Sequence, residues 1–194
     1  MTVGRCTSAV RVAFLVTAAV VTLGCSPAEP AAPAAAAASV VKEPEADASA
    51  VPAAPQGRPL LTITGRIAAT NGDGTLRLDQ AQLDRLGLLA VSVNDPWAKQ
   101  RIGLQGVWLR DLVGLARPDG EATTLHMTAL DDYQIDLSLA DVRSQSIFLA
   151  TRTGDGAALP VDEGGPTRVV FSDDLASRFS ADMWIWNIET IEVR

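Results

Sequence analysis

The sequence predicts a single α+β domain that is rich in β-strands and occupies residues 58–194 of the 194-residue chain. All four Trp, the only Tyr and the only His lie in this region, which is long enough to bury one core. Short runs of alternating apolar residues recur along it, whereas helical spacing appears only briefly. Because strands and helices do not alternate regularly, a doubly wound parallel sheet is not expected.

The first predicted elements are a hairpin and a short helix. Residues 60–64 and 75–78 have strand patterns, and Asn-Gly-Asp-Gly at residues 71–74 predicts the turn between them. Asp79 followed by Gln82 matches a capping box, which predicts the start of a helix.

The rest of the domain is predicted to consist of strands and one amphipathic helix. Apolar residues at helical spacing predict a helix over residues 107–115, which turn residues end at 117–120. The remaining predicted strands cover residues 89–93, 123–130, 133–137, 146–151, 168–171 and 183–193.

The N-terminus has the pattern of an export signal. An uncharged apolar run at residues 12–23 follows Arg5 and Arg11 and is too short for a final membrane anchor. Val-Thr-Leu-Gly-Cys at the end of the run resembles a bacterial lipoprotein cleavage box. We therefore predict a lipoprotein signal peptide over residues 1–25, lipidation at Cys25, and a membrane-anchored protein of the periplasm or cell envelope. The alternative is an ordinary signal peptide with an incidental Cys.

Residues 26–57 are rich in Ala and Pro and have few aliphatic or aromatic side chains to bury. Such a composition is typical of segments that form no core. We predict a disordered tether between Cys25 and the domain.

Charge and cysteine positions exclude several classes of function. Acidic residues outnumber basic ones by 23 to 16, and Lys42 and Lys99 are the only lysines, so no nucleic acid is expected as a partner. The only cysteines are Cys6 and Cys25, which excludes a disulfide framework, a zinc–cysteine cluster or a Cys nucleophile in the domain. No nucleophile elbow, phosphate loop or dinucleotide fingerprint is present, so we predict no catalytic residue and no metal ligand.

Two features resemble catalytic or metal-binding groups but have simpler explanations. His126 lies in a strand-like pattern with no other His nearby, which favours an ordinary strand histidine over a metal ligand. Asp131 and Asp132 are expected to form a turn at a strand end, since an acid–base pair needs environments that separate two pKa values.

Several segments of the domain, taken in order, carry a resemblance to a known family. They are Trp97, residues 106–113 (Gly-Val-Trp-Leu-Arg-Asp-Leu-Val), Asp132-Tyr133, Leu149-Ala150, residues 164–170 (Gly-Gly-Pro-Thr-Arg-Val-Val) and residues 184–193. Their order and spacing resemble the molybdopterin-binding domain of the sulfite-oxidase type. The resemblance implies a mixed, β-rich fold with a pterin cleft.

The chain departs from this family at the metal. Family enzymes hold molybdenum through a Cys thiolate shortly before the Trp-containing turn, where this chain has Val93 or Asn94. Neither side chain supplies a thiolate, so the molybdenum cofactor and oxygen-atom transfer are not expected. The cations that could hold a molybdopterin phosphate are reduced mainly to Arg101, Arg152 and Arg168.

A pterin without metal is the ligand that the resemblance then implies. Its flat ring can stack on Trp or Tyr, and its 2-amino and ring N–H donors suit a carboxylate or an Asn oxygen. The predicted ligand-binding residues are Asn94, Trp97, Asp132, Tyr133, Arg152, Arg168 and Trp184, with Asp95 and Asp131 as further candidates for the ring edge. Two alternatives stay open: Trp184 or Trp186 packs within a sheet, and Arg168 pairs internally.

Small exported relatives that lack the Cys include pterin-binding proteins that signal to membrane sensors, such as cyclic-di-GMP enzymes or histidine kinases. The resemblance therefore implies a lipid-anchored protein that binds a small heterocycle and signals to a membrane sensor. One alternative is a periplasmic molybdopterin-dependent oxidoreductase without the Cys ligand. Against it, such enzymes are usually exported by the twin-arginine route, and Arg5 and Arg11 are not adjacent. The other alternative is a purely structural adhesion or envelope module whose cleft is filled by side chains.

Overall fold

The computed structural model describes residues 38–194. The predicted signal peptide, its Cys25 and the first part of the predicted tether lie outside the described residues. None of the helices in residues 38–194 is long and apolar enough to cross a membrane.

Residues 38–194 form two five-stranded sheets. The strands are β1 (Ser39–Lys42), β2 (Leu61–Gly65), β3 (Leu76–Leu78), β4 (Leu88–Asp95), β5 (Gln100–Trp108), β6 (Thr124–Ala129), β7 (Gln134–Ser138), β8 (Ile147–Thr153), β9 (Arg168–Phe171) and β10 (Ile188–Val193). The first sheet has the order β1-β4-β5-β8-β9, and all of its neighbouring strands are antiparallel. The second has the order β3-β2-β10-β6-β7, in which β2 and β10 are parallel and the other pairs antiparallel.

Short helices connect these strands. The α-helices of the described part are α1 (Gln80–Asp84), α2 (Leu109–Ala116) and α3 (Leu139–Ser144), and 3-10 helices lie at Val161–Glu163, Asp173–Leu175 and Ala181–Met183. Buried apolar side chains from both sheets and from all three α-helices form one continuous core. The prediction of a single β-rich α+β domain is therefore confirmed.

Local signals in the first hairpin and helix are confirmed in detail. β2 and β3 pair antiparallel, with Leu61 opposite Leu78. The Asp79 carboxylate accepts a hydrogen bond from the Gln82 main-chain N–H, and the Gln82 amide oxygen accepts one from the Asp79 N–H, each at 2.9 Å. This reciprocal pair is the capping box that starts α1.

Strand β5 differs from the prediction, which began a helix at residue 107 and placed no strand between residues 93 and 107. Residues 100–108 form a strand, and helix α2 begins only at Leu109. The first half of β5 is mostly exposed and has little apolar alternation, so its strand form depends on pairing with β4 and β8. Gly106 is required there, because a Cβ atom would clash with the Leu149 carbonyl oxygen and lie 2.8 Å from the Ala150 Cα.

The last strand is shorter than predicted. Strand pairing begins at Ile188 rather than at residue 183, because the Ala181–Met183 3-10 helix and a left-handed Asn187 (φ 53°) interrupt the extended chain. Trp184 and Trp186 therefore precede the strand and do not alternate within the sheet.

The C-terminal part of the predicted tether lies on the domain. Residues 39–42 form β1 and pair with the first residues of β4, although all four side chains are exposed. Farther along, Arg85 forms ion pairs with Glu45 and Asp47, and Pro52 is buried. The expectation of a disordered segment up to Gly57 is thus corrected for residues 38–57. Main-chain hydrogen bonds along a sheet edge require no apolar side chains, so composition alone did not indicate this docking.

Candidate functional site

Three connecting segments converge on one cavity. They are the turn after β4, the turn between β6 and β7, and the segment between β9 and β10. We call this cavity of about 380 Å³ the aromatic cleft, and its lining residues are Trp97, Asp131, Tyr133, Asp182, Trp184 and Trp186.

The turn after β4 presents Trp97. The Asp95 carboxylate accepts hydrogen bonds from the main-chain N–H groups of Trp97 at 2.8 Å and Ala98 at 2.9 Å, which holds the turn in one conformation. The Trp97 indole N–H donates to the Ala181 carbonyl at 3.2 Å. Trp97 is 57% exposed, which leaves most of its ring available at the mouth of the cleft.

The turn between β6 and β7 presents Tyr133. An Asp131 carboxylate oxygen accepts a hydrogen bond from the Tyr133 main-chain N–H at 3.2 Å, and Asp132 takes a left-handed conformation (φ 65°). The Tyr133 hydroxyl donates to the Asp182 carbonyl at 2.9 Å. The polar tips of Trp97 and Tyr133 are thus both held by main-chain carbonyls of the Ala181–Met183 3-10 helix.

Trp184 and Trp186 form the inner wall. Trp184 is only 8% exposed and packs against Phe171 with ring centroids 6.1 Å apart. The Arg168 guanidinium lies 4.6 Å from the Trp186 ring centroid and 5.9 Å from that of Trp184. Gly164 allows the chain to pass close to Trp186, since a Cβ atom there would lie 2.8 Å from the indole ring.

A buried ion pair connects the end of β4, which precedes the Trp97 turn, with the start of β9. Arg168 donates to the Asp95 carboxylate at 2.6 Å, and the two side chains are 3% and 2% exposed. Burial alone would raise the pKa of Asp95, but hydrogen bonds from Ala98, Arg168 and Trp97 hold it below its ordinary value. Burial lowers the pKa of Arg168, and Asp95 partly opposes this change. Arg168 therefore pairs internally, as one of the two open alternatives had it.

The structure brings some of the predicted site residues together and separates others. Trp97, Tyr133, Trp184 and Asp131 line the aromatic cleft. Asn94, Asp132 and Arg152 do not line it.

Each separated residue has a partner or a backbone role elsewhere. The Asn94 amide donates to Asp173 at 3.0 Å, and Arg152 forms an ion pair with Asp84 at 2.6 Å. Asp132 supplies the left-handed position of the β6–β7 turn.

Two lining residues were not among the predicted binding residues. Asp182 had no recognisable motif, and its place depends on the 3-10 helix that interrupts the predicted last strand. For Trp186, the sequence left open that it packs within a sheet. The same interruption of the strand places it in the lining of the cleft instead. The available sequence signal was the concentration of Asp and Trp at residues 182–186.

His126 is a strand residue on β6. Its Nδ1 atom lies 2.7 Å from a carboxylate oxygen of Asp136, its cross-strand partner on β7. Among residues 38–194, no group of three or more His, Cys, Asp or Glu side chains is arranged to hold a metal ion.

The lining of the cleft does not fit the family's cofactor at two points. At the thiolate position, Val93 is buried and Asn94 bonds to Asp173, and the chain's only cysteines are Cys6 and Cys25. A molybdopterin phosphate also needs a cation, but the side chains that line the cleft include two carboxylates and no Arg, Lys or His.

The predicted phosphate-binding arginines are occupied as well. Arg101, Arg152 and Arg168 form ion pairs with Asp173, Asp84 and Asp95. These residues therefore do not present a free guanidinium group to a ligand phosphate.

Comparisons with known proteins agree with the fold. A family model described as the oxidoreductase molybdopterin binding domain matches residues 73–193. Among solved structures, the chain is similar to the sulfane dehydrogenase SoxCD from Paracoccus pantotrophus, with a TM-score of 0.54 and 18% sequence identity. The similarity covers 70% of this chain and 38% of that chain. No curated protein matches. Because the family model covers more than half of its length, the chain belongs to the oxidoreductase molybdopterin-binding domain family, as the sequence resemblance predicted.

Proposed function

We propose that the protein is an exported, lipid-anchored binding protein that holds a flat, pterin-like heterocycle in the aromatic cleft and reports it to a membrane partner, without molybdenum catalysis. The observation that carries this proposal is the convergence of three Trp rings and one Tyr ring on a cavity of about 380 Å³. This volume is in the range of small-molecule sites.

The walls are suited to stacking. Flat heterocycles bind aromatic side chains through offset stacking, and each stacked ring contributes about 1–3 kcal/mol. The tips of Trp97 and Tyr133 are held by hydrogen bonds, so little side-chain entropy is lost when a ring enters between the walls. Asp131 and Asp182 add acceptors for the amino and ring N–H groups of a pterin.

The donor set supports binding rather than redox catalysis. A thiolate is lacking at Val93 and Asn94, and the arginines near the site are engaged in ion pairs. The alternative, a periplasmic molybdopterin-dependent oxidoreductase without the Cys ligand, is favoured by the family membership. It requires a cofactor held without the protein thiolate and without a free cation in the cleft.

The location and the signalling role rest on the N-terminal sequence. With lipidation at Cys25, residues 26–37 can span at most about 40 Å when fully extended. Because β1 is already docked on the domain, the domain would remain close to the membrane surface. A membrane sensor would then meet the domain at high effective concentration.

The test is a titration of the purified protein with neopterin, followed by tryptophan fluorescence, in parallel with metal analysis. The Trp97→Leu variant should weaken binding by about 5- to 150-fold, which corresponds to the loss of one stacking partner. Trp108→Leu is the matched control, because Trp108 packs against Phe148 outside the cleft. Unchanged affinity in folded Trp97→Leu, or about one molybdenum per chain in protein from its own host, would contradict the proposal.

A further inference from the structure

We infer that the aromatic cleft selects its ligand by charge through the Asp182 carboxylate, so that it binds a ring with an uncharged or protonated amino edge more tightly than a phosphorylated one. This inference rests on the proposed function and specifies the ligand class of the same site.

The cleft has an acidic lining. Its two charged side chains are Asp131 and Asp182, and the other lining residues are aromatic. The Arg168 guanidinium, which lies 4.6 Å from the Trp186 ring centroid, is buried and is neutralised by Asp95. A ligand in the cleft therefore faces two negative charges and no uncompensated positive charge from the lining residues.

Asp182 is the carboxylate with free acceptor capacity. Its main-chain carbonyl accepts the Tyr133 hydroxyl, but its carboxylate has no hydrogen-bond or ion-pair partner within residues 38–194. Asp131 differs, because one of its oxygens accepts the Tyr133 main-chain N–H. Asp182 can therefore offer both oxygens to two parallel N–H donors, which is the geometry of a bidentate, charge-assisted pair.

Two hydrogen bonds hold the main chain at Ala181 and Asp182. The Ala181 and Asp182 main-chain carbonyls accept hydrogen bonds from Trp97 and Tyr133, and Asp182 lines the same cavity as the two exposed rings. A ring stacked between them would present its polar edge to Asp182. A phosphate on the same ligand carries about −1.5 to −2 charges at pH 7 and would be repelled by both carboxylates.

The experiment compares neopterin with neopterin monophosphate by fluorescence titration and calorimetry on the purified protein. Wild type should bind neopterin about tenfold more tightly, because the phosphate approaches two like charges across a few ångströms of partly screened solvent. The ratio of the two affinities should fall to about threefold in Asp182→Asn. It should fall in the same way in wild type when salt is raised from about 0.05 M to about 0.5 M. Asp182→Asn should also weaken the binding of neopterin itself about tenfold, because the amide replaces one charged acceptor with a donor.

Glu43→Gln is the matched control for net charge. Glu43 is exposed and follows β1, which pairs with the end of β4 opposite to Asp95. Glu43→Gln should therefore keep the wild-type preference for neopterin over neopterin monophosphate. Equal binding of both probes by wild type, or an unchanged ratio in folded Asp182→Asn, would overturn the inference and leave the proposed function standing. If wild type bound neither probe, the proposed function would fail, and the inference with it.

Discussion

Removal of one charge from the Asp95–Arg168 pair is expected to destabilise the domain strongly. Asp95→Asn keeps the shape of the side chain, and its amide oxygen can still accept the Trp97 and Ala98 N–H groups. The Arg168 guanidinium, however, would face an amide with no negative charge. Because both side chains are almost fully buried, water cannot replace the lost counter-ion.

The expected magnitude follows from this burial. The loss of one partner from a buried ion pair costs about 3–5 kcal/mol, since the other charge remains desolvated. At about 2–4 °C per kcal/mol for a domain of this size, the melting temperature should fall by about 6–20 °C. The Asp95→Asn/Arg168→Met double variant should recover part of the loss, because it also removes the buried charge.

Thermal and urea unfolding followed by tryptophan fluorescence would measure these changes. Asp119→Asn is the matched control, because Asp119 also accepts a main-chain N–H group and pairs with an arginine, Arg66, but is exposed. Exposed pairs contribute little, so its melting temperature should hardly change. A loss below about 1 kcal/mol in Asp95→Asn, or a loss equal to that of the control, would refute the reasoning from burial.

Three other predictions concern stability. The pKa of Asp95 is lower in the folded than in the unfolded protein. Its contribution to the free energy of unfolding is therefore complete above its ordinary pKa and is lost as the pH falls through the folded value. Below about pH 4, the free energy of unfolding should depend less steeply on pH in Asp95→Asn than in wild type, as acid titration would measure. Gly106→Ala should destabilise the domain by about 2–4 kcal/mol, as measured by urea unfolding. Gly103→Ala should have a much smaller effect, because its Cβ would have its nearest neighbour at 3.5 Å. A similar loss of stability in both variants would contradict the close approach of β5 and β8. Deletion of residues 1–57 should lower the melting temperature relative to deletion of residues 1–37, because it removes β1 and its pairing with β4; equal melting temperatures would show that the docked segment adds no stability.

Local patterns predicted those elements whose geometry is encoded within a few residues. The β2–β3 hairpin has its own turn residues, and the α1 capping box needs only Asp79 and Gln82. By contrast, β1 and the first half of β5 carry mostly exposed side chains. Their strand conformation comes from main-chain pairing with β4, a partner that is distant in sequence from β1 and that no local pattern reveals.

The candidate site shows the same division. Trp97, Tyr133 and Trp184 could be selected from the sequence because aromatic residues in family motifs are few and conspicuous. Asp182 was not selected, since it belongs to no recognised motif and only its closeness to Trp184 and Trp186 sets it apart from other exposed acids. Arg152 was selected for its charge alone, and only the structure shows that Asp84 neutralises it.

The sequence by itself determined the family, the β-rich α+β class and the lack of a thiolate, because these depend on residue identity and on patterns that repeat along the chain. Only the tertiary structure decided which polar groups are free. Asp95 and Arg168 lie 73 positions apart in the sequence and neutralise each other's charge in the interior. The Asp182 carboxylate, by contrast, has no partner within the described residues. The charge that a ligand meets is the sum that remains after such pairing, and pairing between distant residues is established only when the chain folds.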